Sequence, residues 1–186
     1  MRLRNIGNVP SGLPVQRLVD PYVPLKLSAG YSVADPPLYW RLVDPQFSLV
    51  EIGINRWDGR FVSFTVAHYN GELHPLGIPS GTVSTETLAV LPAYSLESWA
   101  GFRSDRDVGD IKGEFHDIQG RCRLELGNDS LRVVLFPDPI VLRVDTRGEV
   151  VFEFNASNEL CALTFLRLGR EEMDILNGNF KVHHAG

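Results

Sequence analysis

At 186 residues, with 44% apolar and 22% charged side chains, the chain has the material for a sizeable core and the composition of an ordinary folded domain. That excludes a disordered segment, and no apolar run approaches the roughly 20 residues a spanning helix needs, so no membrane association is expected. The formal net charge of −5 is uneven: residues 1–75 hold seven Lys/Arg and six Asp/Glu, residues 76–186 hold eleven and seventeen, so the two parts carry +1 and −6. Such an acid excess repels phosphate backbones, which argues against nucleic-acid binding, and it attracts a basic protein and speeds the encounter.

In chain order, MRLRNIGNVPSG has two arginines but no apolar stretch of about 7 to 15 residues behind them, so it does not read as a secretory leader and a cytoplasmic location is expected. Seven of the twelve prolines precede residue 50; each removes a backbone donor and biases its predecessor away from helix, which predicts extended loops and edge strands. Leu38 to Val43 reads as a strand ending at Asp44-Pro45. Phe47 to Asn55 follows with Val50, Ile52 and Ile54 on one face, by the period of two. Trp57-Asp58-Gly59-Arg60 supplies a tight turn. The return strand, Phe61 to Tyr69, is expected to bury Val62, Phe64 and Val66.

Residues 76–113 lack clear periodicity and carry Pro79 and Pro92. They read as a connector with one helical turn near Ser95 to Trp99. Beyond it RCRLEL, LRVVLF and IVLRVD alternate as strands. The first hairpin pattern then returns: Ile52-x-Ile54-Asn55 before Phe61 has its counterpart in Phe152-x-Phe154-Asn155 before Leu160. GREEMDIL predicts a short helix with acids in its first turn, where the helix dipole favours them, and NGNFKVHHAG reads as a tail. The expected fold is mainly β, with antiparallel sheets in two related lobes or one two-sheet sandwich and a short C-terminal helix. The boundaries are 1–75 for an N-terminal β lobe with a proline-rich leader, 76–113 for the connector and 114–186 for the C-terminal lobe.

Catalytic patterns fail one by one. Asp105, Asp107 and Asp110 gather carboxylates as a calcium loop does, but the sixth-position Gly and twelfth-position Glu are missing. His68 and His74 have no metal-ligand spacing. His116 beside Asp117 would suit a base and its orienting carboxylate, yet neighbours on a strand face opposite ways and no nucleophile motif accompanies them. GIPSGT lacks the lysine and helix of a phosphate loop. Cys122 and Cys161, without a CxxC partner, read as buried thiols. No enzyme activity, cofactor or metal is therefore expected, and a third reading, a metal-assisted hydrolase using His116 and the Asp105 to Asp110 loop, ranks below binding. The residues left for a partner surface are Asp105, Asp107, Asp110, Trp57 and Trp40, since exposed Trp is enriched at interfaces; the alternative places Trp40 in the core.

Val150, Phe152, Phe154, Leu160, Leu163 and Leu168, followed by Glu171, Glu172 and Leu176, resemble the paired strands and E-E-x-x-x-L helix of small, poorly characterised bacterial proteins, some of which are immunity proteins encoded beside secreted polymorphic toxins. The resemblance covers about Glu114 to Leu176. It implies a β-rich protein that neutralises a toxin, and the acid excess of residues 76–186 makes the expected partner a basic one. The rival expectation is a β-sandwich or barrel holding a small ligand, lined by Trp40, Trp57 and Trp99.

Overall fold

The structure, a computed structural model, describes residues 1–10, 15–29, 35–77, 83–88, 90–97, 99 and 115–182. It is mainly β, with the expected short helix near the C-terminus. The strands of the first part are β1 (Asn5–Pro10), β2 (Gln16–Leu18), β3 (Leu25–Ser28), β4 (Leu38–Asp44), β5 (Ser48–Ile54), β6 (Phe61–Tyr69) and β7 (Glu72–Pro75). The stretch read as a connector supplies β8 (Ser84–Leu88) and β9 (Val90–Tyr94). Then come β10 (Phe115–Gln119), β11 (Arg123–Leu126), β12 (Leu131–Val134), β13 (Leu142–Thr146), β14 (Val150–Phe154), β15 (Leu160–Phe165), α1 (Arg170–Asn179) and β16 (Lys181–Val182).

A five-strand unit occurs twice. One sheet runs β10-β4-β5-β6-β3-β2 and the other β16-β7-β11-β12-β15-β14-β13-β8. In each, a meander (β4-β5-β6, β13-β14-β15) is extended antiparallel by two earlier strands (β3-β2, β12-β11) and edged by a parallel strand (β10, β8). The registers coincide residue by residue. Leu38, Ile54 and Phe61 line up as Leu142, Phe154 and Leu160 do, and Trp40, Ile52 and Phe64 as Val144, Phe152 and Leu163 do. Both hairpins carry a register shift at the same place, Gly53/Ile54 in one and Glu153/Phe154 in the other.

That shift corrects one expectation. Strict alternation from Phe64 buries Val62, but the extra residue of a bulge returns the strand to the inner face one position early. Phe61 is therefore fully buried and Val62 only partly. The other residues expected inside, Ile52, Ile54, Phe64, Phe152, Phe154, Leu163 and Phe165, are all buried, and β14 and β15 are buried on both faces. The two sheets meet through these residues, with Phe61 edge-on to Phe152 at 5.2 Å between ring centroids and Phe64 against Phe165 at 5.6 Å. A face-to-face sandwich is what two such amphipathic sheets form.

Strands also cross between the parts. β7 joins the second sheet beside β11, and β10 joins the first beside β4. β1 and β9 form a two-stranded ribbon with an exchange at each end. β9 docks on the first hairpin, with Tyr94 N donating to Gly59 O at 2.8 Å, whereas β1 docks on the second, with Asn5 N donating to Asn158 O at 2.8 Å. Asn5 stands opposite Tyr94 in the ribbon. Gly59 and Asn158 both have positive φ, 73° and 59°, so the two docking points are conformational equivalents. The strand that precedes each unit thus seals the tip of the other.

α1 covers the side near β2. Arg17 donates from Nε and Nη2 to the two Glu172 carboxylate oxygens at 2.8 and 2.9 Å and reaches the Leu166 carbonyl at 2.9 Å. Glu172 in turn accepts from the Gly169 N–H at 2.7 Å, satisfying one of the donors that a helix start leaves open. Leu176 is fully buried. The stretch read as a tail begins within this helix: Phe180 is buried with its ring edge-on to Tyr69 at 5.5 Å, and β16 pairs with β7.

Candidate partner site at the first hairpin tip

Both hairpin loops start from an asparagine that folds its side chain over the turn. Asn55 Oδ1 accepts from Trp57 N at 2.9 Å; Asn155 Oδ1 accepts from Ser157 N at 2.9 Å and Glu159 N at 3.0 Å. Such local side-chain to backbone bonds compete with strand pairing and so end the strand where the turn must begin. At the first tip the rest of the turn is pinned as well. Asp58 accepts from the Arg60 N–H at 3.0 Å and from Arg60 Nε at 2.7 Å, and Arg56 Nε donates to the Pro36 carbonyl at 2.8 Å.

Trp57 stands at this tip with 74% of its surface exposed. Its indole Nε1 donates to Asp35 Oδ2 at 2.8 Å, so a large apolar ring is held in solvent in one orientation. The other two tryptophans are inside. Trp40 is fully buried, donates from Nε1 to the Met1 carbonyl at 3.0 Å and packs edge-on to Phe136. Trp99, where one turn closes by its N–H donating to the Leu96 carbonyl at 3.0 Å, is buried against His116 at 5.7 Å between rings. Trp40 therefore belongs to the core and takes no part in a partner surface. Of the three tryptophans drawn into a ligand lining, Trp40 and Trp99 are buried and Trp57 stands in solvent. Asp105, Asp107 and Asp110 lie outside the described residues.

The second tip is organised differently. Asp138 accepts from Asn155 Nδ2 at 3.0 Å and pairs with Arg2, which also reaches Glu159 at 3.5 Å and lies with its guanidinium carbon 4.0 Å from the centre of the Phe136 ring. The Asn155 amide first and the Arg2 guanidinium next hold the Asp138 carboxyl below its usual range.

His116 and Asp117 do point apart, as adjacent strand residues must. Asp117 takes Arg41 through two bonds of 2.7 Å, while His116 Nε2 lies 3.2 Å from the Met1 ammonium. Burial, then that ammonium, lowers the His116 pKa. Burial pushes the Cys122 and Cys161 thiols up to about 11, so neither supplies a thiolate at neutral pH. Among the described residues no three His, Cys, Asp or Glu side chains gather to hold a metal ion.

Two features had no sequence signal specific enough to find them. On the outer face of the second sheet Glu153, fully buried, accepts from Arg132 and Arg143, and Arg132 also bonds Glu125, so four strands are tied by alternating charge. Only their common face, an assignment that needs the strand order, brings these groups together. An open cleft of about 600 Å³ lies where β6 turns into β7, lined by Phe47, Tyr69, His74, Arg121, Arg123 and Phe180 among others. Arg121 and Arg123 share its rim because residues two apart on extended chain face the same way, and the Arg121 guanidinium carbon lies 3.4 Å from the centre of the Phe47 ring.

Set against known proteins, the chain matches no family model, and no curated protein matches its sequence. No helix among the described residues is long and apolar enough to cross a membrane.

Proposed function

We propose that this chain is a non-catalytic binding protein that captures a basic protein partner through the first hairpin tip, in the manner of an immunity protein that neutralises a toxin. The observation that carries the reading is Trp57, exposed yet fixed by its bond to Asp35. A rigid exposed indole loses little side-chain entropy on binding and buries a large area, the combination found at interface hot spots. The net charge of −5 supplies the attraction for a basic partner and the solubility of the free protein. A cytoplasmic setting, where a toxin would be met, accords with two buried, free cysteines. The second reading is small-ligand binding, and the cleft between Phe47, Tyr69, Arg121 and Phe180 favours it.

The test is to isolate a basic partner encoded beside the gene and measure association and affinity for native protein and Trp57→Ala. Trp57→Ala is expected to weaken the complex by about 2 kcal/mol or more, the scale of a hot-spot residue. Association of native protein should slow as the Debye length shortens from about 30 Å at 0.01 M salt to about 8 Å at 0.15 M. Full affinity in Trp57→Ala, with salt-independent association, would remove this reading; a small molecule copurifying in the cleft would put the second in its place.

A further inference from the structure

Each hairpin tip receives a carboxylate from an Asp-Pro segment that precedes its meander, and among the described residues a cation pairs with that carboxylate only at the second tip. In the second unit an Asp-Pro pair, Asp138-Pro139, precedes β13, and the aspartate reaches the hairpin loop by accepting from Asn155 Nδ2. Arg2 supplies the cation: its guanidinium lies against the Phe136 ring and pairs with Asp138 and Glu159. In the first unit Asp35-Pro36 precedes β4, and Asp35 reaches its own hairpin loop through Trp57 Nε1. Here too a carboxylate stands beside an aromatic ring.

The ribbon offers the first tip no counterpart of Arg2. Arg4 bridges Glu159 at the second tip as Ala93 bridges Arg60 at the first. Two residues back from Arg4 is Arg2; two residues back from Ala93 is Leu91, an apolar residue buried in the core. Of the cations near this tip, Arg60 pairs with Asp58, and Arg56 donates Nε to the Pro36 carbonyl. Among the described residues the Asp35 carboxylate has no cation within ion-pair distance, and its partner is the indole N–H alone.

We infer that the first hairpin tip binds an arginine side chain of a basic protein, the guanidinium lying on the Trp57 ring with the Asp35 carboxylate beside it. This deepens the partner reading above and rests on it. Arginine fits better than lysine because a planar guanidinium stacks on an aromatic face and offers forked donors to a carboxylate; at the other tip Arg2 stacks on the Phe136 ring and donates through Nη1 to Asp138 and Glu159. The Trp57 ring is fixed before binding, so the contact needs no rearrangement of the tip.

The test uses full-length protein with ¹⁵N-labelled tryptophan. Three indole N–H signals are expected, and Trp57→Phe identifies the one at the tip. The probes are N-acetylarginine amide, N-acetyllysine amide and N-acetylcitrulline amide, the last having nearly the shape of arginine without its charge. The Trp57 signal should move saturably with the arginine probe, with a dissociation constant of about 1 to 100 mM, the range of one exposed contact of this kind. The lysine probe should bind more weakly and the citrulline probe should leave the signal in place. Asp35→Asn keeps an acceptor for the indole and removes the charge; it should weaken arginine binding at least about fivefold, since charge-assisted contacts are the stronger ones, while Asp138→Asn leaves it unchanged. No saturable shift, an equal shift with citrulline, or full binding by Asp35→Asn would overturn the inference. If one of these occurs while Trp57→Ala still weakens the protein partner, arginine recognition fails and partner capture at the tip stands. If arginine binds as described while Trp57→Ala leaves the partner complex intact, the partner reading fails instead.

Discussion

Phe152→Ala is expected to destabilise the protein by about 3 to 5 kcal/mol, the range for deleting a fully buried phenylalanine. Phe152 has no exposed surface, sits at the centre of the second meander and meets Phe61 of the first edge-on at 5.2 Å. Its ring therefore belongs to the contact that joins the two sheets, and truncation leaves a cavity walled by both. Neither wall can easily collapse, because each is a hydrogen-bonded sheet whose registers are fixed from both sides. Chemical denaturation measures the loss. Because the units exchange strands, it should appear as one cooperative transition at lower denaturant rather than as one half melting first. A loss under about 1 kcal/mol, or two separated transitions, would contradict the packing described.

Glu153→Ala should be comparably costly, about 3 to 5 kcal/mol, for an electrostatic reason. Glu153 is fully buried and accepts from Arg132 Nε at 2.8 Å, Arg143 Nη2 at 2.9 Å and Thr164 Oγ1 at 3.2 Å. Removing this carboxylate leaves Arg143 without its carboxylate partner and Arg132 with Glu125 alone, and breaking a buried charge pair costs far more than a surface pair is worth. Arg143→Ala should cost less, since that side chain is 28% exposed and solvent screens part of its contribution. Thermal or denaturant unfolding of both variants checks the order. Equal, small losses would mean that the charge ladder adds nothing to stability.

How much of this was legible beforehand follows from the range of each interaction. The meander strands were readable because inward residues recur every second position, and the repeat was visible because Ile52-x-Ile54-Asn55 and Phe152-x-Phe154-Asn155 keep both that period and the asparagine that ends it. Periodicity could not show that β10 edges the first sheet or β7 the second, because it marks a strand without naming its neighbour. The ribbon was missed for a related reason. β9 carries Pro92, a strand breaker in a sheet interior that a two-stranded ribbon with open edges accommodates. Bulges escape alternation by definition, which is why Phe61 and not Val62 lies inside. At the candidate site, Trp57 could be placed on a turn from its neighbours, but the bond that fixes it comes from Asp35, 22 residues away. For Trp40 the residue type allows a surface role and the core alike; its position in phase with Leu38 and Leu42 is the better guide, and all three are buried.

Amide hydrogen exchange on protein lacking residues 1–10 tests the exchanged architecture most directly. In the intact chain Leu160 N donates to the Leu3 carbonyl at 2.9 Å, and Tyr94 N, in the strand paired with β1, donates to Gly59 O at 2.8 Å. Removing β1 takes away the first bond outright and deprives β9 of its only partner strand in the ribbon. Exchange should therefore accelerate by about tenfold or more at Leu160, on the second unit, and also at Tyr94 and the amides of the first tip, which β1 does not touch in this bonding pattern, because local opening follows the loss of the neighbouring strand. Faster exchange confined to Leu160 and its neighbours, with Tyr94 still protected, would show that β9 holds the first hairpin without β1 and would contradict a ribbon that seals the two tips together.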